Sequence, residues 1–316
     1  MRGFLFLFLT TFLFAAEYVP YPIGYSIPEC KIVKQIPNKK IDFAIYLPNQ
    51  SHIYANEEDY YKGYQDAFFA VTHKKGGWDC LRHYEILANG CIPYFVDLEL
   101  CPDSNTLYFL PKKLILEAMH LEGVSFMSID RNKFNVQRYY EILAELMEYT
   151  RTHLAAEKMA EYLLKTMNYT GHGKILFLSQ DVRPEYLRDL TLIGLKGILG
   201  DRVVDTPKIH HLYQTYPEDV RNLWGKGMTY SKILPDLNIN ISNIPERIAR
   251  REFDLIIYGE THKGDFPFHD LVRKYYRDDE IAYLYGDECV PACNFNLKNV
   301  FMREHYLFHS AILCPK

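Results

Sequence analysis

The chain carries no surplus of positive charge: 36 Lys and Arg stand against 40 Asp and Glu, a formal net charge of −4. A protein that holds nucleic acid through its phosphates needs a basic footprint, so the charge argues against general nucleic-acid binding. There is no HExxH and no other metal-ligand spacing, and Cys289-Val-Pro-Ala-Cys293 has the wrong interval for a zinc knuckle or a thioredoxin-type motif. No metal is therefore expected. The seven cysteines form an odd set without paired CxxC spacing; in an exported chain one or two disulfides could form, and the sequence does not say which. A short-period internal repeat is also missing. So is an apolar run of the ~20 residues that a membrane-spanning helix needs. Residues 4–14 are apolar except for Thr10 and Thr11, which suits the central region of a secretory signal better. A cut after Ala16 would put bulky Phe14 where a small residue is preferred. A leader peptide, an uncleaved anchor and a buried amino-terminal strand thus all stay open for residues 1–16, and export or membrane association is expected through this segment.

What the chain does have is large aromatic side chains, 26 Tyr and 19 Phe, which serve either as core filling or as platforms for sugars and bases. Its 316 residues suit two domains. Strand and helix signals alternate throughout. Residues 41–47 read as a strand closed by turn residues, and residues 57–71 as a helix, with Tyr60, Tyr64, Ala67, Phe68 and Val71 at intervals of three and four. A strand at 91–95, a helix from Pro111 to about His120 and one long helix over about 135–165 follow. The polar, glycine-containing stretch Asn168-Tyr-Thr-Gly-His-Gly173 then marks a boundary. After it come strands at 174–178, 202–206, 254–258 and 281–285, separated by helices at 184–199, 244–251 and 268–276. Strands alternating with helices imply right-handed βαβ units and parallel sheets. The expected organisation is α/β, with one Rossmann-like domain over residues 17–167 and a second over 173–316.

The stretch richest in chemistry is Lys74-Lys75-Gly76-Gly77-Trp78-Asp79-Cys80-Leu81-Arg82-His83-Tyr84-Glu85, continuing to Gly90. Two lysines precede a glycine pair and a helix start, so ammonium groups, free backbone N–H groups and the helix dipole can converge on a diphosphate. The bland alternative is a solvated lysine pair. Asp79 is placed as an N-cap or first-turn acid, and Gly90 as the residue that ends the helix. Arg82 and Glu85, three apart, share a face. They could serve phosphate and ribose, or form a surface ion pair worth ~0.2–0.5 kcal/mol. Trp78 could stack on a base or cover an edge.

In the second half, ligands of an open parallel sheet should lie beyond the carboxyl ends of the strands. Asp181, Glu260, His262 and Asp287 all follow predicted strands, and any of them could deprotonate a hydroxyl. Each could equally be a cap or a loop ion pair. His172 and the pair His210-His211 read as loop residues.

Tyr84-Glu85-Ile86-Leu87-Ala88-Asn89-Gly90-Cys91-Ile92-Pro93 resembles the segment of GT-B glycosyltransferases, exostosin-like enzymes especially, that lies against the sugar nucleotide. The following Pro111-Lys-Lys-Leu-Ile-Leu-Glu-Ala-Met-His-Leu-Glu122 resembles the helix found next in that fold. Lys174-Ile-Leu-Phe-Leu178, Pro184-Glu-Tyr-Leu-Arg-Asp189, Gly225-Lys-Gly-Met-Thr-Tyr230 and Phe253-Asp-Leu-Ile-Ile-Tyr-Gly259 are similar to the acceptor-side half of bacterial and large-virus glycosyltransferase-like proteins. The resemblance implies two Rossmann-like domains facing across a cleft. It also implies a nucleoside-diphosphate sugar as donor, a glycan or other hydroxyl acceptor, and no metal requirement. Glu85 would contact ribose, with Lys74, Lys75, Trp78, Arg82 and Gly90 also on the donor side and Asp181, Glu260, His262 and Asp287 supplying the acceptor-side base. The two halves stand in swapped order here, for which circular permutation is one route, with residues 21–29 continuing from the carboxyl-terminal part. Retaining members often carry a second Glu eight positions before the first; this chain has Gly77 there, so the implied transfer is inverting. Two alternatives remain: a non-catalytic carbohydrate- or nucleotide-binding protein of the same fold, and a two-lobed periplasmic-type binding protein.

Overall fold

The computed structural model describes residues 20–47, 53–102, 106–262, 264, 266–287 and 297–304. Residues 1–16, which carry the leader or anchor reading, lie outside them, as do Cys289, Cys293 and Cys314. Among the described residues no helix is long and apolar enough to cross a membrane.

Two short strands, β1 (Tyr21–Pro22) and β2 (Ile41–Phe43), precede α1 (Glu57–Asp66). The Asn56 side chain caps α1 by accepting from Asp59 N at 2.8 Å, and Glu57, Glu58 and Asp59 put negative charge at the positive end of the helix. Next come β3 (Ala67–Thr72), α2 (Leu81–Ala88) and β4 (Ile92–Phe95). Together β2, β3 and β4 make a three-stranded parallel sheet with β3 central, Phe69 lying beside both Phe43 and Ile92. Pro93 is tolerated because β4 is an edge strand.

Here the structure corrects the expected helix over 57–71. The helix stops at Asp66, and every residue of β3 is buried. A strand covered on both faces shows no alternation, so Ala67-Phe-Phe-Ala-Val continues the helical spacing by coincidence.

The chain then forms α3 (Lys112–Met119), a small antiparallel pair β5 (Val124–Ser125) and β6 (Ser128–Ile129), and α4 (Val136–Tyr149). A π-helical turn (Thr150–Leu154) leads into α5 (Ala156–Thr166). The single long helix expected over 135–165 is therefore two. At the break Ala155 is extended, and the backbone of Ile27 inserts there: Ile27 N donates to Leu154 O at 3.0 Å and Ala156 N to Ile27 O at 2.8 Å. The two helices serve different sheets. Tyr139 of α4 donates to Phe68 O of β3 at 2.5 Å. α5 runs against the next helix so closely that a Cβ built on Gly194 would lie 2.0 Å from the Ala156 carbonyl oxygen.

The remaining elements are β7 (Lys174–Leu178), α6 (Tyr186–Leu199), β8 (Val203–Thr206), α7 (Ile244–Ala249), β9 (Phe253–Tyr258), α8 (His269–Tyr275), β10 (Ile281–Tyr285) and β11 (Val300–Met302). They build a six-stranded parallel sheet in the order β1-β11-β10-β9-β7-β8. Ile175 and Phe177 of β7 pack toward α5 and α6, while Leu176 and Leu178 pack with Ile244 and Ile248 of α7 and Val272 of α8. Burial on both faces explains the unbroken apolar run of β7, with a side chain such as Phe177 contributing ~1.5–3 kcal/mol. The amino-terminal strand β1 lies beside the carboxyl-terminal strand β11, with Tyr21 opposite Phe301. The winding reverses between β7 and β9, the place where open parallel sheets commonly bind ligands. The protein is thus a mixed α/β fold with a large parallel sheet and a smaller one.

Candidate functional site

A cavity of about 510 Å3 opens at the carboxyl ends of β2 and β3. Its walls come from widely separated parts of the chain: the residues after β2, Tyr60 and Tyr64 of α1, the first turn of α2, Tyr25, Tyr186, and the segment around Trp224.

The loop between β3 and α2 is held by a polar network that is exposed at the lysines and buried around Asp79. Lys74 N donates to the Asp97 carboxylate at 3.1 Å and Lys75 N to Gly77 O at 3.0 Å. Asp79 N donates to Glu304 Oε1 at 2.6 Å, and the Asp79 carboxylate accepts from Tyr25 N and Tyr84 OH, each at 2.8 Å. Arg303 Nη1 donates to Asp79 O at 2.5 Å, while its guanidinium covers the Tyr25 ring at 4.5 Å. The N-cap position belongs to Cys80, so Asp79 is not the cap; it joins the loop to the amino-terminal segment. His83, fully buried, spans Thr72 Oγ1 at 3.1 Å and Trp78 O at 2.9 Å, and burial pushes its pKa down to about 3. It is a neutral clamp on the loop.

Of the six residues expected on the donor side, three line the cavity, Lys75, Arg82 and Glu85, and Asp79 lines it as well. Glu85 is only 7% exposed. Tyr60 OH donates to its Oε2 at 2.6 Å and is itself a partner of Tyr64 OH at 2.9 Å. Thr229 Oγ1 donates to its Oε1, and Tyr61 OH lies 2.7 Å from the same Thr229 oxygen. Burial raises the Glu85 carboxyl pKa, and the hydroxyl donors from Thr229 and Tyr60 pull it the other way. Glu85 therefore sits in a chain of hydroxyl groups.

The other three sit elsewhere. Trp78 is 6% exposed and packs in the core, so it offers no face for a base. Lys74 is exposed, its Nζ 5.9 Å from the Trp78 ring, and does not line the cavity. Gly90 lies past the far end of α2 with φ +62°, and a Cβ there would meet Pro37 Cδ at 2.6 Å; it ends the helix.

None of the second-half candidates lines the cavity, and two of them, Asp181 and Glu260, belong to a separate charged group. Arg188, fully buried, organises it: its guanidinium lies 2.9 Å from Glu260, 2.7 Å from Asp189 and 3.9 Å from Asp181. Asp189 is in turn 2.7 Å from His211 Nε2, and Asp181 is paired with Arg183 at 2.7 Å. Glu260 is thus committed to a buried ion pair away from the cavity, which counts against it as the acceptor-side base. His262 is half-buried with its ring 6.0 Å from that of Tyr285, and Asp287 is exposed. Glu185 caps α6 by accepting from Arg188 N at 2.6 Å, and burial pushes its carboxyl pKa up to about 7.

Sequence reasoning gave Arg188, Asp189 and Glu185 no role and read His211 as a loop residue, whereas it is buried against Asp189. The one available signal was a charged pair inside an otherwise apolar helical run, Leu187-Arg188-Asp189-Leu190. Thr229 and Trp224 had no signal, since only the tertiary fold brings them to α1 and α2. Among the described residues no group of three or more His, Cys, Asp or Glu could hold a metal ion. Cys91 is a buried thiol, its pKa pushed up to about 12 by burial. Comparison of the chain with protein-family models, curated proteins and solved structures finds no match.

Chemically, the cavity can take an anion at Lys75, Arg82 and the first turn of α2, and hydroxyl groups at Glu85.

Proposed function

We propose that this protein is a glycosyltransferase that draws on a nucleoside-diphosphate sugar and a hydroxyl acceptor. In this reading two Rossmann-like halves face each other in a GT-B-like arrangement, the donor on the small-sheet half and the acceptor on the large-sheet half. One observation carries it: Lys75, Arg82 and the amino-terminal turn of α2 share a single cavity with the carboxylate of Glu85. The cations and the helix end suit a diphosphate, and Glu85 suits sugar or ribose hydroxyls. Stabilising the leaving diphosphate would be the main contribution to rate, because charge develops there as the glycosidic bond breaks. Without a second acid at position 77 the transfer is read as inverting.

The test is calorimetric titration of UDP, GDP and their sugars against the wild type, Glu85→Ala and Arg82→Ala. Each substitution is expected to weaken binding by about tenfold or more, the loss of one charge-assisted contact. Absence of binding by every nucleotide would end the donor-site reading.

A second reading, a non-catalytic nucleotide- or carbohydrate-binding protein, is favoured by the second-half candidates. Asp181, Glu260, His262 and Asp287 lie off the cavity, and Glu260 is neutralised by Arg188. Nucleotide binding without transfer or hydrolysis of the sugar would select it.

A further inference from the structure

We propose that Trp224 is a stacking platform for a pyranose ring of the acceptor, making the acceptor a glycan. This rests on the donor reading of the same cavity and adds the other ligand to it. Trp224 lines the cavity and is 69% exposed, an unusual state for so large an aromatic ring. It comes from a segment far along the chain from Lys75, Arg82 and Glu85, so the cavity has two chemically different contributors.

The local backbone is built to present that ring. Gly225, Lys226 and Gly227 all take positive φ, at 60°, 58° and 67°, which turns the chain sharply just after the tryptophan. For Lys226 this conformation is unfavourable and must be held from outside. Three sets of contacts hold it: Tyr230 OH donates to Trp224 O at 2.7 Å, Lys226 Nζ donates to Tyr54 O, and Thr229 bonds Glu57 and Glu85. Trp224 is thus fixed at its base while its side chain lines the cavity.

The chemistry favours a sugar there. A pyranose has one face of C–H groups for the indole and hydroxyls around its edge for the water that reaches a half-open rim. A nucleobase stacked at such a rim would leave its hydrogen-bonding edge in solvent.

The chain contains two tryptophans, and the other, Trp78, is buried. Emission at long wavelength and quenching by acrylamide therefore report on Trp224. Methyl pyranosides, cellobiose, maltose, lactose and diacetylchitobiose would be titrated one at a time, and UDP and GDP separately. At least one saccharide is expected to shift the emission to the blue and protect it from acrylamide in the wild type and in Trp78→Phe. The signal should vanish in Trp224→Ala, an exposed site at which folding is preserved. That variant should bind the same saccharide about tenfold more weakly by calorimetry and keep nucleotide affinity within about twofold. Protection by UDP or GDP alone would assign the indole to the base and overturn the proposal, as would lack of protection by every saccharide. Failure of the donor reading looks different: neither nucleotide would bind by calorimetry, whatever the saccharides do.

Discussion

Glu185 gives the sharpest test of how the buried charges of the large sheet are balanced. Its carboxyl caps α6, accepting from Leu187 N and Arg188 N, yet burial pushes its pKa from 4.5 up to about 7, with the α6 cap and Arg188 opposing and Asp189 and Glu260 adding to the rise. A raised folded-state pKa means that the native protein binds this proton more tightly than the unfolded chain does. The associated stability is fully present below about pH 4.5 and is lost as pH rises through about 7. At ~1.4 kcal/mol per tenfold in proton affinity, the loss over that window is roughly 3 kcal/mol. Glu185→Gln keeps an oxygen for the cap and removes the charge. Urea unfolding at about pH 5 and about pH 8 should therefore show the variant close to the wild type at the lower pH and more stable at the higher one. The difference between the two proteins is the readout, because other titrating groups affect both alike. A variant less stable than the wild type at pH 8 would show that the Arg188 contact and the α6 cap outweigh desolvation, and would refute the reasoning.

Three further outcomes are expected. Gly194→Ala gains ~1 kcal/mol of helix propensity, but its methyl meets the backbone of Ala156, which cannot rotate away. A net loss of ~1–3 kcal/mol and a lower Tm should follow by calorimetric scanning. Arg188→Met leaves Asp189 and Glu260 buried without their cation, costing ~3–5 kcal/mol by urea unfolding, and adding Glu260→Gln should recover part of it. Gly77→Ala puts a Cβ 2.5 Å from Glu304 Oε1 and displaces the acceptor of Asp79 N, so ~1–3 kcal/mol should be lost, seen as a Tm lower by several degrees.

The large sheet was legible in the sequence because its strands are continuous apolar runs bounded by turns. β7, β9 and β10 stand where Lys174-Ile-Leu-Phe-Leu178, Asp254-Leu-Ile-Ile-Tyr258 and Ile281-Ala-Tyr-Leu-Tyr285 put them. The same lack of alternation hid β3, whose residues happened to extend the spacing of α1. β11 was missed because three residues carry no periodicity, and its place is decided by β10 and β1 on either side. At the cavity, Lys75, Arg82 and Glu85 could be picked out because a loop, a helix start and a helical face are local features. Trp78 could not be sorted from sequence: a tryptophan beside two glycines reads alike whether it points outward or inward, and the core took it. The break at Ala155 was equally hidden, since its cause is Ile27, a residue far away in the chain.

The contacts that close the cavity are long-range and mostly buried. Thr229 reaches Glu85, Arg303 and Glu304 reach Asp79, and β1 lies beside β11. The first three tie α2 or the loop before it to residues that follow β7 in the chain, and the last places the amino-terminal segment in the large sheet. Removing one partner leaves a buried polar group unsatisfied, which costs more than the bond itself contributed. The cavity walls are thus fixed together rather than hung on a free hinge. Gly77 belongs to the same logic. The space a side chain would take there holds the Glu304 carboxylate, and that carboxylate is committed to Asp79 N and lies 3.3 Å from Arg303. An acid does stand beside position 77, supplied by the carboxyl-terminal part of the chain, but its bonds make it a fastening of the loop and not a group in the cavity. Under the glycosyltransferase reading proposed above, any group that acts on substrate has to come from the residues that line the cavity, and Glu304 is not one of them.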